Sequence, residues 1–392
     1  MIRKLTDIDL RDKTVFLRVD FNVPIDQGKV AESHRIDSAL PTIQLILQRA
    51  KQVVIASHLG RPDGKVIAKY SLAPVRTHLE QALGQPVVLA PDCIGVEVER
   101  IVHNEKNRIV LLENLRFHKE EEKNDTNFAR ALASLAEVYV DDAFGAAHRA
   151  HASISGMTPF FKAKAAGLLL QKELDYLSPL LANPSKPFVT ILGGAKISDK
   201  IGVIRNLLPK VDTLLIGGGM AYTFLKAQGL EIGKSLLERD KLSLATDLLN
   251  EAASHGVKML LPVDHVTGDV EKKNPESCGA QIPADRMGLD IGPQSAKQFA
   301  EEIKKAKLVL WNGPVGLFEI PPYDQGSRTL ADTLAELYPN ITSVIAGGDT
   351  VAAVNAAGVE TKITHLSTGG GATLEFLEGK VLPGIKALDE AT

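Results

Sequence analysis

Short apolar runs alternate with longer amphipathic stretches throughout the 392-residue chain. Eleven runs rich in β-branched residues and leucine predict strands at residues 15–19, 53–56, 87–89, 109–112, 138–140, 188–192, 213–216, 258–261, 308–310, 343–345 and 362–366. Helix-length amphipathic stretches separate most of them, as at residues 38–48, 72–83 and 242–253. Such alternation is typical of parallel sheets with right-handed crossovers, and strands that are apolar on both faces require helices on each side. The pattern therefore predicts an α/β fold.

The alternation is interrupted at residues 179–187, which contain three prolines and follow a long apolar segment at residues 167–181. Eleven strands are too many for one comfortable open sheet, and the interruption divides them into five and six. We therefore predict two Rossmann-like lobes of similar size, each a parallel β-sheet flanked by helices. The segment at 167–181 is the predicted connecting helix, with a cleft between the lobes.

Charge and composition narrow the choice of partners. The chain has 45 Lys and Arg against 48 Asp and Glu, so no general positive field attracts nucleic acid or anionic lipid. Cys93 and Cys278 lie far apart, without the spacing of a metal cage or a redox pair. The first residues lack the apolar block of a secretory signal, and no uncharged apolar run approaches the roughly 20 residues of a membrane span. We expect a cytoplasmic protein that binds neither nucleic acid nor membrane.

Glycine-rich junctions between strand and helix mark the second half of the chain. Four follow an apolar run and precede a helical stretch: ILGGAK at 191–196, LIGGGM at 215–220, VIAGGDT at 344–350 and LSTGGGAT at 366–373. Glycine lets a phosphate approach the backbone, and helix N-termini supply free amide donors. Because open parallel sheets bind ligands at the carboxyl ends of their strands, these loops indicate a phosphate site. The alternative is that the glycines only make tight turns.

Three charged residues lie in or shortly after these loops. Lys196 and Lys200 stand four apart at the start of a predicted helix, so they are expected on one face beside the free amides, where a bound polyanion would offset their repulsion. A solvated surface pair is the alternative. Asp349 follows two glycines and is either a helix N-cap or a ligand of Mg²⁺ that faces the phosphates of a nucleotide.

The first half carries arginines near predicted strand ends instead of glycine loops. Four of them occupy comparable places: Arg35, Arg61, Arg116 and Arg149. The planar guanidinium binds phosphate or carboxylate through two hydrogen bonds, so such a pocket suits a small acid with more than one anionic group. Taken singly, each arginine is equally typical of an ordinary surface charge.

Four histidines raise the question of a zinc site: His58, His118, His148 and His151. No cysteine stands near them in sequence, so hydrogen bonding to anionic oxygens is the favoured interpretation and a metal is disfavoured. The chain also lacks the GxSxG and HExxH motifs, which leaves serine hydrolases and zinc peptidases without support.

The blocks RVDFNVP, SHLGRPDG, LLENLRFH, DDAFGAAHRAH, ILGGAKISDK, IGGGMAYTFLK, MGLDIGP, WNGPVGLFE, AGGDT and STGGGATLEFLEGK follow one another along the chain. Through them the sequence closely resembles the phosphoglycerate kinase family, of the bacterial type, essentially from end to end. The resemblance implies reversible, Mg²⁺-dependent transfer of the acyl phosphate of 1,3-bisphosphoglycerate to ADP, giving 3-phosphoglycerate and ATP in glycolysis. Binding the two anionic substrates on separate lobes predicts hinge closure, and the homologous length with two self-contained lobes predicts a monomer.

Domain boundaries follow from the same resemblance. A phosphoglycerate-binding domain is expected at residues 1–170 and a hinge at 171–186. A nucleotide-binding domain is expected at 187–375, and the segment 376–392 is expected to pack back on the first domain.

The resemblance also assigns roles to individual residues. The phosphoglycerate contacts fall on Asp20, Asn22, Arg35, His58, Arg61, Arg116 and Arg149. Arg61, Arg116 and Arg149 are similar to the holders of the distant 3-phosphate. The family's catalytic group falls on Arg35, Lys196, Gly348 and Gly371, with Arg35 and Lys196 directed at the migrating phosphoryl group.

On the nucleotide side the family's contacts fall on Lys200, Gly217, Gly218, Gly288, Asn312, Pro314, Glu319, Gly347, Gly348, Asp349 and Thr350. By similarity Glu319 binds ribose hydroxyls and Asp349 the metal. Two departures from the family pattern are Ala146, where many relatives have threonine, and the segment PPYDQGS after Glu319. Both affect only local loops.

Two other functions are compatible with the residues when the resemblance is set aside. A different acyl-phosphate kinase would share the chemistry but would not need the distant arginines. A two-lobed solute-binding protein would close on an anion without chemistry, but the lysines in the glycine loops argue against it. Turnover of ATP with 3-phosphoglycerate, compared with acetate or aspartate, separates all three.

Overall fold

The structure is a computed structural model that describes residues 2–389. The described chain forms two compact units. The first contains the residues up to Asp175 together with those from Val381 onward, and the second is Tyr176–Lys380. The expected C-terminal segment 376–392 ends in residues 390–392, which lie outside the described residues.

A six-stranded parallel sheet forms the centre of the first unit. In spatial order its strands are Val88–Leu89, Ile109–Leu111, Gln52–Ala56, Thr14–Val19, Val138–Asp142 and Ala163–Ala166. Every residue of the strands Gln52–Ala56 and Val138–Asp142 is buried. A sheet buried on both faces needs cover on each side, which the helices of this unit supply.

The helices of the first unit are His34–Arg49, Ala73–Leu83, Val96–Val102, Lys119–Glu122, Thr126–Ala133 and Pro383–Leu388. A two-stranded antiparallel hairpin pairs Ile25–Asp26 with Lys29–Val30. The helix Pro383–Leu388 is anchored to this unit, because Gly384 N donates to Ala147 O at 2.9 Å. The apolar core includes Leu17, Ile43 and Ile55, all fully buried.

The second unit has its own six-stranded parallel sheet. Its spatial order is Lys258–Leu260, Thr213–Ile216, Phe188–Leu192, Leu308–Asn312, Thr342–Ala346 and His365–Leu366. Its helices are Ile201–Leu207, Gly218–Ala227, Leu242–Ser254, Pro293–Ile303, Gln325–Leu337, Gly348–Ala357 and Gly371–Leu377. A small antiparallel sheet adds Glu276–Cys278, His265–Gly268 and Met287–Ile291. Trp311, the only tryptophan of the chain, is fully buried in the core of this unit.

The expected α/β class with parallel sheets is confirmed, and all eleven expected strands are present. The division into five and six strands is wrong, because Ala163–Ala166 is a sixth strand of the first sheet. Its sequence AKAA lacks the β-branched residues that signal a strand. The small antiparallel sheet was also not predicted.

The connecting segment forms the helix Leu168–Ala182, within which the boundary between the units falls. Pro179 lies inside this helix, so the interruption of the pattern begins only after Ala182. At the other end, Asp142 Oδ1 accepts a hydrogen bond from Leu170 N at 3.0 Å. Among the described residues, no helix is both long and apolar enough to cross a membrane.

Candidate active site

The carboxyl ends of the parallel strands place the polar residues of the first unit at one edge of its sheet. Asp20 directly follows the strand Thr14–Val19, and His58 lies two residues after Gln52–Ala56. Arg116 and Arg149 lie in the loops after Ile109–Leu111 and Val138–Asp142. All these strands run in the same direction, so the loops that follow them meet.

Asp20 is the anionic partner within this group. Arg35 Nη1 donates to Asp20 Oδ2 at 2.6 Å, and His58 Nε2 lies 4.0 Å from Asp20 Oδ1. Asn22 connects the neighbouring loop, since its Oδ1 accepts from Gly60 N at 2.8 Å. One carboxylate thus orients a guanidinium and an imidazole while neutralising a single positive charge.

Arg116 is buried, which is unusual for an arginine. Its Nη1 donates to Gly60 O at 2.9 Å, and its Nε lies 3.4 Å from Glu122 Oε1 without forming a hydrogen bond within the described chain. Burial lowers the pKa of Arg116, and the charge of Arg149 acts in the same direction. A buried guanidinium with an unsatisfied N–H, near a second arginine, favours an anionic ligand.

The remaining arginines lie in adjoining loops. Arg149 is half-buried, and its Nε donates to His148 Nε2 at 3.2 Å. Arg61 is exposed and directly follows Gly60, whose backbone binds both Asn22 and Arg116. The structure therefore brings all seven expected phosphoglycerate residues to one edge of the sheet.

A buried polar network supports this edge, and sequence reasoning did not assign it. Arg18 is 1% exposed, and its Nε donates to Ser153 Oγ at 2.8 Å. Ser153 Oγ donates in turn to Glu121 Oε1 at 2.6 Å. Arg18 Nη2 lies 3.3 Å from His58 Nδ1, so the network reaches the sheet edge that carries the seven expected residues. Its only sequence signal is Arg18 itself, a charged residue inside an apolar strand.

The histidines at this edge are kept neutral. Burial lowers the pKa of His58 well below its usual value, and the charges of Arg18 and Arg116 add to the effect. Burial and the charges of the same arginines lower the pKa of His151 to about 3. Neutral imidazoles at neutral pH can donate hydrogen bonds to an anion but add no charge.

The glycine loops of the second unit meet at the corresponding edge of its sheet. Gly193 N donates to Asn312 O at 3.0 Å, and Gly194 N donates to Pro314 O at 3.1 Å. Gly218 has a φ of 66°, and a Cβ at this position would lie 2.7 Å from Gly194 N. Only glycine permits this approach of the loops, which come from adjacent strands.

These loops line a cavity of about 300 Å³. The lining residues are Gly194, Ala195, Gly218, Gly219, Tyr222, Leu236, Lys272, Met287, Gly288, Leu289, Pro314, Gly316, Leu317, Glu319 and Asp349. Five of the expected nucleotide contacts belong to it: Gly218, Gly288, Pro314, Glu319 and Asp349. The cavity combines glycine backbone, apolar side chains and two carboxylates, and its volume lies at the lower limit of small-molecule sites.

Other expected contacts lie in the strand-end loops beside this cavity. The Lys200 ammonium is buried and donates to Asn312 Oδ1, while Asn312 Nδ2 donates to Ala346 O at 2.8 Å. Thr350 Oγ1 accepts from Gly313 N at 2.7 Å and donates to Ala346 O at 2.8 Å. Burial lowers the pKa of Lys200, whereas the charges of Asp199 and Asp349 raise it.

The structure contradicts one local expectation and excludes one of the two alternatives given for Asp349. Lys196 and Lys200 do not share a helix face, because the helix begins only at Ile201; Lys196 is exposed and Lys200 is buried. Asp349 is not an N-cap, since Gly347 holds that position with a φ of 91°. The carboxylate of Asp349 is exposed at the second residue of the helix and lines the cavity instead.

The last expected residues occupy strand ends and helix starts. Gly217 follows the strand Thr213–Ile216 directly, and Gly347 follows Thr342–Ala346. Gly348 and Gly371 are exposed first residues of helices, so their amides have no partner one turn earlier in the helix.

Comparison with known proteins identifies the family. A family model described as Phosphoglycerate kinase matches residues 5–380. The chain belongs to the phosphoglycerate kinase family. The resemblance inferred from the sequence blocks is thereby confirmed, and the chain is a kinase that transfers phosphate.

Relatives of the same family match over nearly the full chain. Phosphoglycerate kinase of Koribacter versatilis is 56% identical over 98% of this chain and 98% of its own length. The cytosolic phosphoglycerate kinase of Triticum aestivum is 54% identical over 99% of this chain and 98% of its own. The structure of phosphoglycerate kinase from Coxiella burnetii superposes with a TM-score of 0.90 at 40% identity, covering 99% of both chains.

Several cavity residues of this chain were missed in the sequence. Tyr222 and Leu236 line the cavity, and Ser235 Oγ holds the neighbouring strand by accepting from Gly288 N at 2.8 Å. Lys272 also lines it and has a φ of 62°, with its carbonyl accepting from Tyr323 Oη at 3.1 Å. These residues stand in ordinary helix and loop contexts, so no local pattern singled them out.

Proposed function

We propose that the first unit binds phosphoglycerate and the second binds the nucleotide. The reaction is the reversible transfer of the acyl phosphate of 1,3-bisphosphoglycerate to ADP, giving 3-phosphoglycerate and ATP. The observation that carries this assignment is the contrast between the two sheet edges. One collects four arginines, and the other surrounds a cavity with glycine backbone.

For phosphoglycerate, we assign the 3-phosphate to Arg61, Arg116 and Arg149. The unsatisfied Nε of the buried Arg116 supports this role, since a phosphate oxygen would complete its hydrogen bonding. We assign Arg35 to the other end of the phosphoglycerate, where its guanidinium contacts the phosphoryl group during transfer. Asp20, Asn22 and His58 orient the carboxyl end through the contacts described above.

For the nucleotide, the apolar and glycine-lined part of the cavity suits a purine base and ribose. Glu319 is exposed on its lining and is the proposed acceptor of ribose hydroxyl protons. Lys200 and the helix starts at Gly348 and Gly371 are the proposed phosphate donors.

The residues present also fit a Mg²⁺ ion. Mg²⁺ prefers oxygen ligands and usually binds through one or two carboxylates together with substrate phosphates. The exposed Asp349 carboxylate lines the cavity, and its charge reaches the buried Lys200, so it faces the proposed phosphate region. Asp349 would hold the ion, which when bound supplies charge neutralisation on the phosphate oxygens.

No general base is required by this mechanism. The attacking group is a phosphate oxygen of ADP or, in reverse, a carboxylate with a reference pKa of roughly 3.5 to 4, and both are ionised at neutral pH. Phosphoryl transfer then depends on alignment and on stabilising the charge of the equatorial oxygens. Arg35 and Lys196 are proposed to provide that charge, and the site accordingly needs cations and amides in place of an acid–base pair.

Two anionic substrates must meet with water excluded, which motivates hinge closure. We propose that the helix Leu168–Ala182 contains the hinge and that closure aligns the substrates for in-line transfer. We further propose that the protein acts as a cytoplasmic monomer. Small-angle scattering with each substrate and with both tests the closure, because only a moving hinge compacts the particle.

The assignment is tested by a coupled assay with four acceptors: 3-phosphoglycerate, glycerate, acetate and aspartate. We expect ATP turnover with 3-phosphoglycerate and at least 100-fold lower kcat/KM with glycerate, which lacks the group assigned to the arginines. Equal turnover of glycerate would contradict the 3-phosphate assignment. Absence of turnover with every acceptor would support a non-catalytic anion-binding protein.

A further inference from the structure

Three side chains able to bind a metal meet in the first unit, outside the residues assigned above. They are Asp92, Cys93 and His118, and their Oδ, Sγ and ring nitrogen atoms all lie within 4.8 Å of one another. Asp92 and Cys93 lie in the loop after the strand Val88–Leu89. His118 directly follows the short 3₁₀ turn Leu115–Phe117. Neighbouring strands of the sheet thus deliver the three groups to one place.

The contacts within the group hold it close to a coordination geometry. His118 Nε2 lies 2.6 Å from Asp92 Oδ1, and Cys93 Sγ donates to Glu113 O at 3.0 Å. The His118 ring packs on Phe128 with their centroids 5.1 Å apart, which limits its rotation. Zinc bonds of about 2.0–2.3 Å place tetrahedral ligand atoms roughly 3.3–3.8 Å apart. Side-chain rotations that change the distances between the three ligand atoms by about 1 Å would therefore produce this geometry.

The surrounding charge favours a cation at this position. Three carboxylates act electrostatically on the Cys93 thiol, those of Asp92, Glu121 and Glu113. Glu120 adds a further negative charge near His118. Negatively charged carboxylates repel the thiolate form of Cys93 when no cation is present. The same carboxylates attract a dication, which can replace the thiol proton.

An activated cysteine nucleophile is the main competing interpretation of these residues, and the geometry disfavours it. A nucleophilic thiol needs a base that takes its proton and a lowered pKa. Here the thiol donates to a carbonyl and its pKa is raised, while His118 Nε2 is directed at Asp92. A structural hydrogen bond between His118 and Asp92 would explain the positions of these two side chains, but it would not explain why Cys93 lies beside them.

We propose that Asp92, Cys93 and His118 form a binding site for a thiophilic divalent cation of the Zn²⁺ class. Cys93 Sγ loses its proton to solvent and binds as thiolate, His118 binds through Nε2 with its proton on Nδ1, and Asp92 binds through one carboxylate oxygen. Water completes the coordination. The side chains of Asp92 and His118 are 47% and 24% exposed, so two of the three proposed ligands contact solvent, whereas Cys93 is buried.

A metal bound at this site should affect Arg116, one of the proposed phosphate-binding arginines, through the Leu115–Phe117 turn. Arg116 lies in that turn two residues before His118, and Arg116 N donates to Asn114 Oδ1 at 3.0 Å. Metal binding would replace the hydrogen bond between His118 Nε2 and Asp92 Oδ1 by two bonds to the metal. The resulting movement of the His118 ring should shift the end of the turn. We expect bound Zn²⁺ to raise the KM for 3-phosphoglycerate about threefold or more. This consequence rests on the proposed function, whereas the binding itself does not.

The binding is tested with Co²⁺ as a spectroscopic substitute for Zn²⁺, titrated into the full-length protein without phosphate compounds. We expect one Co²⁺ per chain, a thiolate-to-cobalt charge-transfer band, and displacement by Zn²⁺. Cys93→Ser should abolish the band and His118→Gln should raise the Kd at least tenfold. The matched control Cys278→Ser should retain both. Absence of the band, or a band that survives Cys93→Ser, would overturn the site.

Two further measurements keep the test decisive. If Cys93→Ser does not fold by circular dichroism, Asp92→Asn and His118→Gln replace it, since both alter part-exposed ligands. The KM for 3-phosphoglycerate is then compared at buffered free Zn²⁺ in the unmodified protein and in the binding-deficient variant. An unchanged KM with Zn²⁺ bound would refute only the coupling. A protein without kinase activity would refute the proposed function, while the cobalt titration would still decide the metal site.

Discussion

Lys200 and Asn312 form a buried hydrogen bond in which the lysine ammonium donates to the amide oxygen. The two residues are 112 positions apart. Asn312 ends the strand Leu308–Asn312, and Lys200 directly precedes the helix Ile201–Leu207, which follows the adjacent strand Phe188–Leu192. The bond holds the buried Lys200 in one position, whereas Lys196 is exposed in the loop before the helix Ile201–Leu207. We therefore expect the two lysines to have different tasks, with Lys200 held in place before a ligand binds and the exposed Lys196 able to move toward one.

The exposed lysine is expected to act mainly in the transition state. Lys196→Ala should lower kcat by roughly two to three orders of magnitude, the usual effect of losing one donor aimed at developing charge, with KM little changed. Steady-state kinetics with varied ATP and 3-phosphoglycerate measures this. Lys304→Ala, an exposed lysine paired with Glu301, is the control and should retain full activity. A Lys196→Ala enzyme at full speed would remove this residue from the mechanism.

Arg61 tests the division of substrates between the units. Arg61→Ala should raise the KM for 3-phosphoglycerate roughly 10- to 100-fold, since a hydrogen bond to a charged group contributes about 1.5–3 kcal/mol, and should leave the KM for ATP unchanged. Arg61 is preferable to the buried Arg116, because its exposed side chain is not needed for packing. The exposed Arg11, paired with Asp9 at 2.8 Å, provides the control Arg11→Ala. Equal effects on both KM values would contradict the assignment.

Two glycines with positive φ allow two destabilising effects of an alanine substitution to be measured separately. One is the strain of a left-handed backbone conformation, and the other is the collision of an added Cβ with neighbouring atoms. Gly218 and Gly229 have φ values of 66° and 87°, but only at Gly218 would a Cβ collide with neighbouring backbone. Alanine at either position costs about 1–2 kcal/mol of unfolding free energy from the left-handed conformation, and Gly218→Ala should cost a further ~1–3 kcal/mol from overpacking.

Urea unfolding followed by the fluorescence of Trp311, the sole tryptophan, reports on this unit. The KM for ATP should rise for Gly218→Ala alone. Equal destabilisation and equal KM values for both variants would show that the loops around Gly194 can relax.

The buried pair Asp141 and Asp142 should make stability pH-dependent. Burial raises the pKa of Asp141 to about 6 and that of Asp142 to about 7, against an ordinary 3.8. Asp142 Oδ1 accepts from Leu170 N, while its Oδ2 has no partner among the described residues. Because the folded state binds more protons than the unfolded state between pH 4 and 7, the unfolding free energy should fall as pH rises through this window.

Asp142→Asn removes one of the two titrations and should flatten that decline, by a few kcal/mol at most on the scale of about 1.4 kcal/mol per pKa unit. Urea midpoints followed by far-ultraviolet circular dichroism between pH 4.5 and 8 measure it. Asp247→Asn, which replaces an exposed carboxylate, should leave the pH profile unchanged. A profile identical in Asp142→Asn and the unmodified protein would mean that Asp142 is ionised in the fold.

Local pattern was sufficient for most elements of the fold. The strands Phe188–Leu192 and Thr213–Ile216 have the bounds expected from the sequence, because a short run of apolar residues between glycine or proline signals is itself a local property. Ala163–Ala166 was missed because its extended conformation comes from pairing with Val138–Asp142, not from its own composition. The glycine junctions were recognised for the same local reason, since each is a contiguous motif.

The amino-acid sequence by itself determined the α/β class, the strand ends that carry the candidate site residues and the family to which the chain belongs. These properties depend on residue types and spacings that can be seen along one segment. Tertiary structure alone decided that Lys200 is buried and Lys196 exposed, that Arg18 reaches Glu121 through Ser153, and that Cys93 lies beside His118. Burial and pairing are set by contacts between distant segments, and those contacts exist only once the sheets have formed.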